Sequence, residues 1–484
     1  MTELRVTFKN TSAPGGTALT PLFVGFHDDN FDLYNLGQAS SPGLEALAED
    51  GNNSIVAAEV VASDADAQTT NVVGDRGPVG AGETASTIID VDAMSNAYAS
   101  FATMILPSND AFVGTANALL LFNADGEFIG ESTSTFTGAS VRDAGTEVNT
   151  ERDAAFINQT GPNTGETENG VVTIHPGFNG SQGNPGGEQI ILGGTNAFGE
   201  FIDPVAADFS IPGTPVAEVH INTVVRTNGT AGVDVFAGTG ADDLVNSGAG
   251  NDLLSTGNGW DVVNAGAGND VVRTGFGDDE ISGGLGNDIL FGEGGDDRVE
   301  GGGGQDTIFG GGGVDVISGG FGSDEVFGGN GNDQISGDAG DDSLNGNGGS
   351  DSISGGSGED TLNGGGGRDL LLGGNDDDVV SGGGGGDLIA GGAGDDRLTG
   401  GQGDDVFAFA SGDGADQITD FDIGSFRGDD TLLIDVAGIE SFADVQAAAS
   451  DSALGTTLDF GSDGSVLLLG VSSDALAADN FDFA

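Results

Sequence analysis

The feature that most constrains this 484-residue chain is a row of aspartates spaced nine residues apart and unbroken through twenty positions. They are Asp234, Asp243, Asp252, Asp261, Asp270, Asp279, Asp288, Asp297, Asp306, Asp315, Asp324, Asp333, Asp342, Asp351, Asp360, Asp369, Asp378, Asp387, Asp396 and Asp405. Two residues after each stands an apolar side chain, from Phe236, Val245 and Leu254 to Leu398 and Phe407. Glycine dominates the remaining positions, and glycine-rich sequence ordinarily reads as flexible linker. Composition alone has no means of keeping an apolar residue in register with an aspartate through twenty copies. A stacked repeat requires that register.

The residue types fit such a stack. Glycine-rich hexads can adopt the positive-φ turns that other residues resist, and the three residues that follow make a short strand with its apolar member pointing inward. Each nonapeptide is then a half-turn and eighteen residues make a circuit. Asp234, Asp252, Asp270 and their successors share one edge, and Asp243, Asp261, Asp279 and theirs share the other. At roughly 4.8 Å per layer, unneutralised columns of carboxylates would repel strongly, so a cation must lie between them. Calcium, which takes about 6–8 oxygen ligands, suits aspartates beside glycine carbonyls. Ten layers on each edge leave nine gaps, hence at most eighteen sites. Residues 229–410 carry 34 acids against four arginines, a charge deficit that such an ion load could cancel.

The repeat is cleanest as GGLGNDILF (Gly283 to Phe291), GGFGSDEVF (Gly319 to Phe327), GGNGNDQIS (Gly328 to Ser336), GGAGDDRLT (Gly391 to Thr399) and GGQGDDVFA (Gly400 to Ala408). This pattern is similar to the RTX nonapeptide of secreted bacterial proteins. The resemblance implies a calcium-stacked parallel β-roll, with several calcium ions held by the aspartate row. The motif is frayed at its start, where Thr230, Thr239, Ala241, Ser247, Thr256, Ala265 and Thr274 replace glycines. Glu293, Asp338, Asn347 and Asp376 do so later. Trp260, the only tryptophan, stands at a turn position and is expected to be exposed.

Composition sets outer bounds. Seventy-eight acids against eleven bases give a formal charge of −67, which disfavours nucleic acid and anionic membrane surfaces as partners. Without cysteine there are no disulfides, thiolate metal sites or cysteine nucleophiles. The start, MTELRVTFKN, lacks the basic flank and apolar stretch of a secretory signal, so no cleaved signal is expected. No apolar run approaches the roughly 20 residues that span a bilayer.

Residues 1–228 read as strands. Leu4, Val6 and Phe8 alternate with Arg5, Thr7 and Lys9, and similar runs occur at Thr84 to Val91, Tyr98 to Leu106, Ala118 to Phe122, Val171 to Ile174 and Val216 to Val225. Asn123-Ala124-Asp125-Gly126 predicts a hairpin turn, and Ser41 to Ala48 is the one good helix candidate. The expected fold is an antiparallel β-sandwich. Three strings, Leu19 to Tyr34, Ile105 to Gly114 and Arg142 to Asn149, resemble the amino-terminal domain of spondins as found in bacterial secreted proteins. That family is a β-sandwich of extracellular matrix and adhesion that carries a bound calcium. The resemblance implies a site at Asp110, Asp143 and Glu147, with Asn109 as helper; alternatively these residues cap turns at the sandwich rim. His27, His175 and His220 are too scattered to suggest a catalytic base.

After Phe409 the nine-residue beat is expected to stop. Asp416 to Asp435 resembles the segment that caps many RTX rolls, and the remainder, ending Phe481-Asp482-Phe483-Ala484, resembles the uncleaved carboxyl-terminal signal of type I secretion substrates. Three domains are therefore expected: a spondin-like sandwich at 1–228, a β-roll at 229–410, and a β cap with the secretion signal at 411–484. The whole predicts a secreted, non-enzymatic, calcium-binding structural or adhesive protein of a cell surface or extracellular matrix. Its expected partners are calcium, the type I secretion machinery and either itself or a surface component. An enzyme is the rival class, yet neither H-E-x-x-H nor G-x-S-x-G occurs. A two-carboxylate glycosidase and a passive calcium-binding protein remain as alternatives.

Overall fold

A computed structural model describes the chain apart from residues 13–17, 29–30, 32, 35–40, 45–46, 48–52, 75–77, 107–110, 116, 131, 138–141, 144–172, 175–214, 424–428 and 484. It is nearly all β and divides into two compact units, residues 1–224 and 225–484.

In the first unit, strand Thr2–Lys9 lies antiparallel between Thr84–Val91 and Pro215–Asn228, and Ser132–Thr137 pairs with the latter. A second antiparallel sheet runs Gln68–Val72, Leu22–His27, Tyr98–Leu106, Ala111–Gly114, Arg142–Asp143 and Thr173–Ile174. Period-two alternation sends Leu4, Val6 and Phe8 to meet Val24, Phe26 and Phe101 in one core, which makes the pair a sandwich. The predicted turn is present: Phe122 bridges Phe128, Gly126 N–H donates to the Asn123 carbonyl at 2.9 Å, and Gly126 has φ 76°. His27 and His220 are buried, paired with the hydroxyls of Ser100 and Thr133.

Sequence reasoning missed one helix, Asn53–Ser63. Its apolar residues do not form a clean stripe. Val56 and Val60, one turn apart, nevertheless pack with Leu44, Leu47, Phe23 and Phe112 on the outer face of the second sheet. Tertiary burial overrides the poor local signal. At the predicted helix start, Ser41 caps as expected, its hydroxyl accepting from Leu44 N–H at 3.1 Å.

In the second unit the nonapeptides wind into a parallel solenoid of about 11 turns over residues 224–418. Strands of one parity form one parallel sheet and those of the other parity a second, each strand pairing with the strand eighteen residues on, as Val299 with Ile317 and Ile308 with Val326. The apolar residue two after each aspartate points inward, so that Val263, Val272, Ile281, Leu290 and their successors form a single buried row. Flanking residues on each strand face outward. Among them, Phe291, Phe309 and Phe327 stack face to face at 4.9 and 5.0 Å, a direct measure of the layer spacing.

Parallel stacking ends in a cap that shares the roll's core. Strand Val406–Ala410 pairs with Thr431–Asp435, which pairs with Phe481–Phe483. Ala415–Ile418 pairs with Ser465–Leu469, which is closed by the antiparallel strands Gly455–Asp459 and Ala449–Asp451. Phe407, Phe421, Val445, Leu458 and Phe481 cover the last apolar layer.

Trp260 departs from expectation, being only 7% exposed. Its indole lies against Gly277 one turn ahead, where a Cβ would come within 3.0 Å of the ring, so the missing side chain makes room for it.

The inward row and the outward flanks should respond differently to truncation. Leu344→Ala, at a buried position, is expected to cost about 2–5 kcal/mol in the calcium-loaded protein. Leu253→Ala, at a half-exposed outward position, should stay within about 0.5 kcal/mol. Denaturant midpoints read out both.

Candidate metal centre

The repeat places its aspartate at the end of each turn, where the chain re-enters a strand. From Asp243 to Asp405 every member of the row is at most 3% exposed, although aspartate almost never lies this deep without a partner. One carboxylate oxygen has its partner. Oδ1 accepts the backbone N–H of the aspartate one turn behind, as in Asp252 N–H to Asp270 at 2.7 Å and Asp306 N–H to Asp324 at 2.8 Å. The column is thus threaded by hydrogen bonds from layer to layer.

The other oxygen has none. From Asp252 to Asp396 every Oδ2 is buried and accepts no hydrogen bond. From Asp288 onward the first glycine of the same repeat lies beside it. At Gly283 an added Cβ would come within 2.6 Å of both Asp288 Oδ2 and the Gly301 carbonyl oxygen, and at Gly301 within 2.7 Å of Asp306 Oδ2 and 2.6 Å of the Gly319 carbonyl. Each glycine therefore keeps open a cradle walled by a carboxylate oxygen and by a carbonyl from the next turn. The second and fourth glycines supply the turn itself, with φ 101° at Gly284 and 123° at Gly286. Glu293, Asp338 and Asn347 at the second position and Asp376 at the fourth adopt the same left-handed backbone, at φ 69–76°.

Orphaned, buried, anionic oxygens facing carbonyl oxygens are the donor set of a hard divalent cation, and the residues present fit calcium. The ion would supply the positive charge that lets adjacent layers approach. Without it the electrostatics are adverse. Burial pushes Asp279 up to about 9, Asp297 and Asp416 to about 8 and Asp261 to about 7; backbone N–H bonds oppose the shift and neighbouring carboxylates add to it.

The columns run further than the nine-residue count. Asp396 N–H donates to Asp416 at 3.1 Å and Asp405 N–H to Asp430 at 3.1 Å, so each edge gains one layer inside the cap. The nine-residue beat does stop after Phe409, but the stack does not. Ser411 to Thr419 reads SGDGADQIT, a nonapeptide displaced by two inserted residues, with Gly412 at φ 97° and Gly414 at φ 103°. The D-x-U signature of Asp416-Gln417-Ile418 and Asp430-Thr431-Leu432 was available in the sequence but fell outside the fixed period.

At the other end, Asp234 is half-buried and its Oδ2 accepts from Thr230 through both N–H, at 2.7 Å, and hydroxyl, at 3.0 Å. Of the spondin-like candidates, Asp110 and Glu147, with Asn109, lie outside the described residues. Asp143 lies on a described strand whose register pairs it with Ala111.

Fold and donor set together define a calcium-binding parallel β-roll. Comparison with known families agrees: residues 10–162 match Spondin_N, and stretches between 228 and 418 match the RTX calcium-binding nonapeptide repeat. The chain therefore carries a run of RTX calcium-binding nonapeptide repeats behind a spondin-like amino-terminal segment. Among solved structures it is similar to the extracellular lipase LipA from Serratia marcescens, with 21% identity and a TM-score of 0.18, over 45% of this chain and 40% of that one. No curated protein matches it. Among the described residues no helix is long and apolar enough to cross a membrane.

The raised carboxyls give the metal-free roll a pH dependence of definite sign. A folded-state pKa of about 6–9 against 3.8 unfolded means that the folded state holds the extra protons, so its stability is lost as pH rises through that window. In chelator, lowering the pH from about 8 to about 5 should increase the far-UV β signal. With calcium saturating, acidification should instead weaken it, because the ion requires the carboxylate form.

Proposed function

We propose that this chain is a secreted, non-enzymatic calcium-binding protein of a Gram-negative cell surface or extracellular matrix, exported by a type I route and folded by calcium once outside. The observation that carries this reading is the pair of columns of buried, half-satisfied carboxylates. In a low-calcium interior their mutual repulsion, together with the backbone entropy of a glycine-rich chain, favours the unfolded roll. Millimolar external calcium then supplies the folding free energy. A chain that stays unfolded until export suits a secretion substrate.

The spondin-like unit is the part proposed to hold on to something, either a surface or matrix component or further copies of the chain. Support comes from its match to a family tied to matrix and adhesion. The roll then serves as a calcium-gated rigid spacer, and no catalytic role is assigned to either unit.

Circular dichroism of the full chain should show little β signal in chelator at neutral pH and a cooperative gain as calcium is titrated in. A repeat block already folded and indifferent to calcium would refute the reading. Electron microscopy and pelleting at millimolar calcium should show assemblies or matrix-bound protein that chelator releases, whereas strictly monomeric, non-adherent particles would remove the adhesive part.

A further inference from the structure

Most of the roll's acids stand on its turns. The strands of one of its two sheets, from Leu253–Asn258 to Arg397–Gln402, carry two acids, Glu293 and Glu325, and two arginines, Arg273 and Arg397. On a chain with a formal charge of −67, the strands of this sheet are therefore neutral.

The same face is apolar over four successive layers. Its outward positions read Val271 and Arg273, Ile289 and Phe291, Thr307 and Phe309, then Glu325 and Phe327, each layer paired in register with the next. Ile289 is 40% exposed, and the phenylalanine ladder at 4.9–5.0 Å is only half-buried. At the end of strand Val271–Phe276, Phe276 is 70% exposed and lies along Gly294 of the next turn, where a Cβ would come within 3.3 Å of its ring. A contiguous apolar surface facing water marks a site of association. Its neutrality says which partner it suits, because another copy of so acidic a chain can approach closely only where the acids are few.

The two charges at the ends of this patch select the arrangement. Arg273 stands in the first of the four layers and Glu325 in the last. A second copy packed face to face, about a two-fold axis running along the strands midway between the layers of Ile289 and Thr307, reverses the order of the layers. Arg273 then shares a layer with the partner's Glu325, Glu325 with the partner's Arg273, and Phe291 with the partner's Phe309. With the two solenoids parallel, Arg273 would instead share its layer with the partner's Arg273, a like-charge contact. Identical layer spacing in the two copies keeps the facing ladders in step through all four layers. Arg273 already covers the Phe291 ring at 3.7 Å and pairs with Glu293 at 3.2 Å, which holds its guanidinium, with five donors, on this face.

We propose that this sheet face is a self-recognition surface, on which a second copy of the chain docks antiparallel with Arg273 against the partner's Glu325. This rests on the calcium reading, since the face exists only in the wound roll, and it gives the roll a share in contacts between chains. Four layers of six-residue strands span about 20 Å by about 20 Å, on the order of 400 Å² per copy against roughly 800 Å² per partner in a stable complex. The pair is therefore weak in solution and is strengthened where copies are tethered side by side.

The test uses the full chain in saturating calcium, with circular dichroism reporting that each variant is folded. Sedimentation equilibrium up to about 0.5 mM should show the mass rising from one chain toward two. Glu325→Arg alone and Arg273→Glu alone should each weaken self-association by about tenfold or more. An equimolar mixture of these two variants should recover it, because every facing pair is again of opposite charge, a recovery that a merely structural role of either residue would not produce. A folded roll that stays monomeric throughout, or self-association that neither variant weakens, would overturn the docking face while leaving the calcium reading intact. A roll that remains unfolded in calcium would overturn both.

Discussion

Everything in the roll depends on holding like charges one strand spacing apart. The phenylalanine ladder sets that spacing at 4.9–5.0 Å. Two carboxylates at such a distance repel by about 3 kcal/mol at an effective dielectric near 20, before the cost of burying either is counted. Repeated along two edges, this penalty exceeds what one apolar side chain per strand can offset. The Oδ1 oxygens find backbone donors, but Oδ2 is left facing a carbonyl across a space held open by glycine. The site is therefore defined by an absent side chain as much as by the carboxylate beside it. Calcium reverses the sign of the interaction, turning the repelling column into the element that joins adjacent layers.

The two ends of the array solve a different problem. A solenoid buries its core only between neighbours, so its terminal layers need help from outside the repeat. At the carboxyl end the parallel sheets give way to antiparallel strands and an aromatic cluster, and Asp416 and Asp430 prolong both columns before they stop. At the amino end, the hydroxyls of Ser247, Thr256 and Thr274 donate to first-position carbonyls of the next turn and tie successive layers together.

Legibility in the sequence followed the range of the interaction responsible. The nine-residue beat, the inward apolar row and the aspartate columns repeat within each copy, so twenty copies made them plain. The sandwich strands were readable for a similar reason, as the alternation of Leu4, Val6 and Phe8 is local. The helix Asn53–Ser63 was not, because Val56 and Val60 gain their burial from Leu44 and Phe112, far off along the chain. Trp260 was misjudged because the space that buries it comes from Gly277 on the following turn. The last aspartate of each column was hidden by insertions that shift the period without disturbing the stack.

The sequence by itself determined the repeat, its parity, its charge and its need for a hard cation, since all of these follow from residue type at fixed spacing. Only the tertiary structure decided which oxygens are left without a partner and which cradles are open. Those depend on what one turn places against the next, eighteen, twenty or twenty-five residues away. A threonine and a glycine at the first position look like minor variants of one motif in the sequence. Stacked, the first fills the space beside a carboxylate and the second leaves it open.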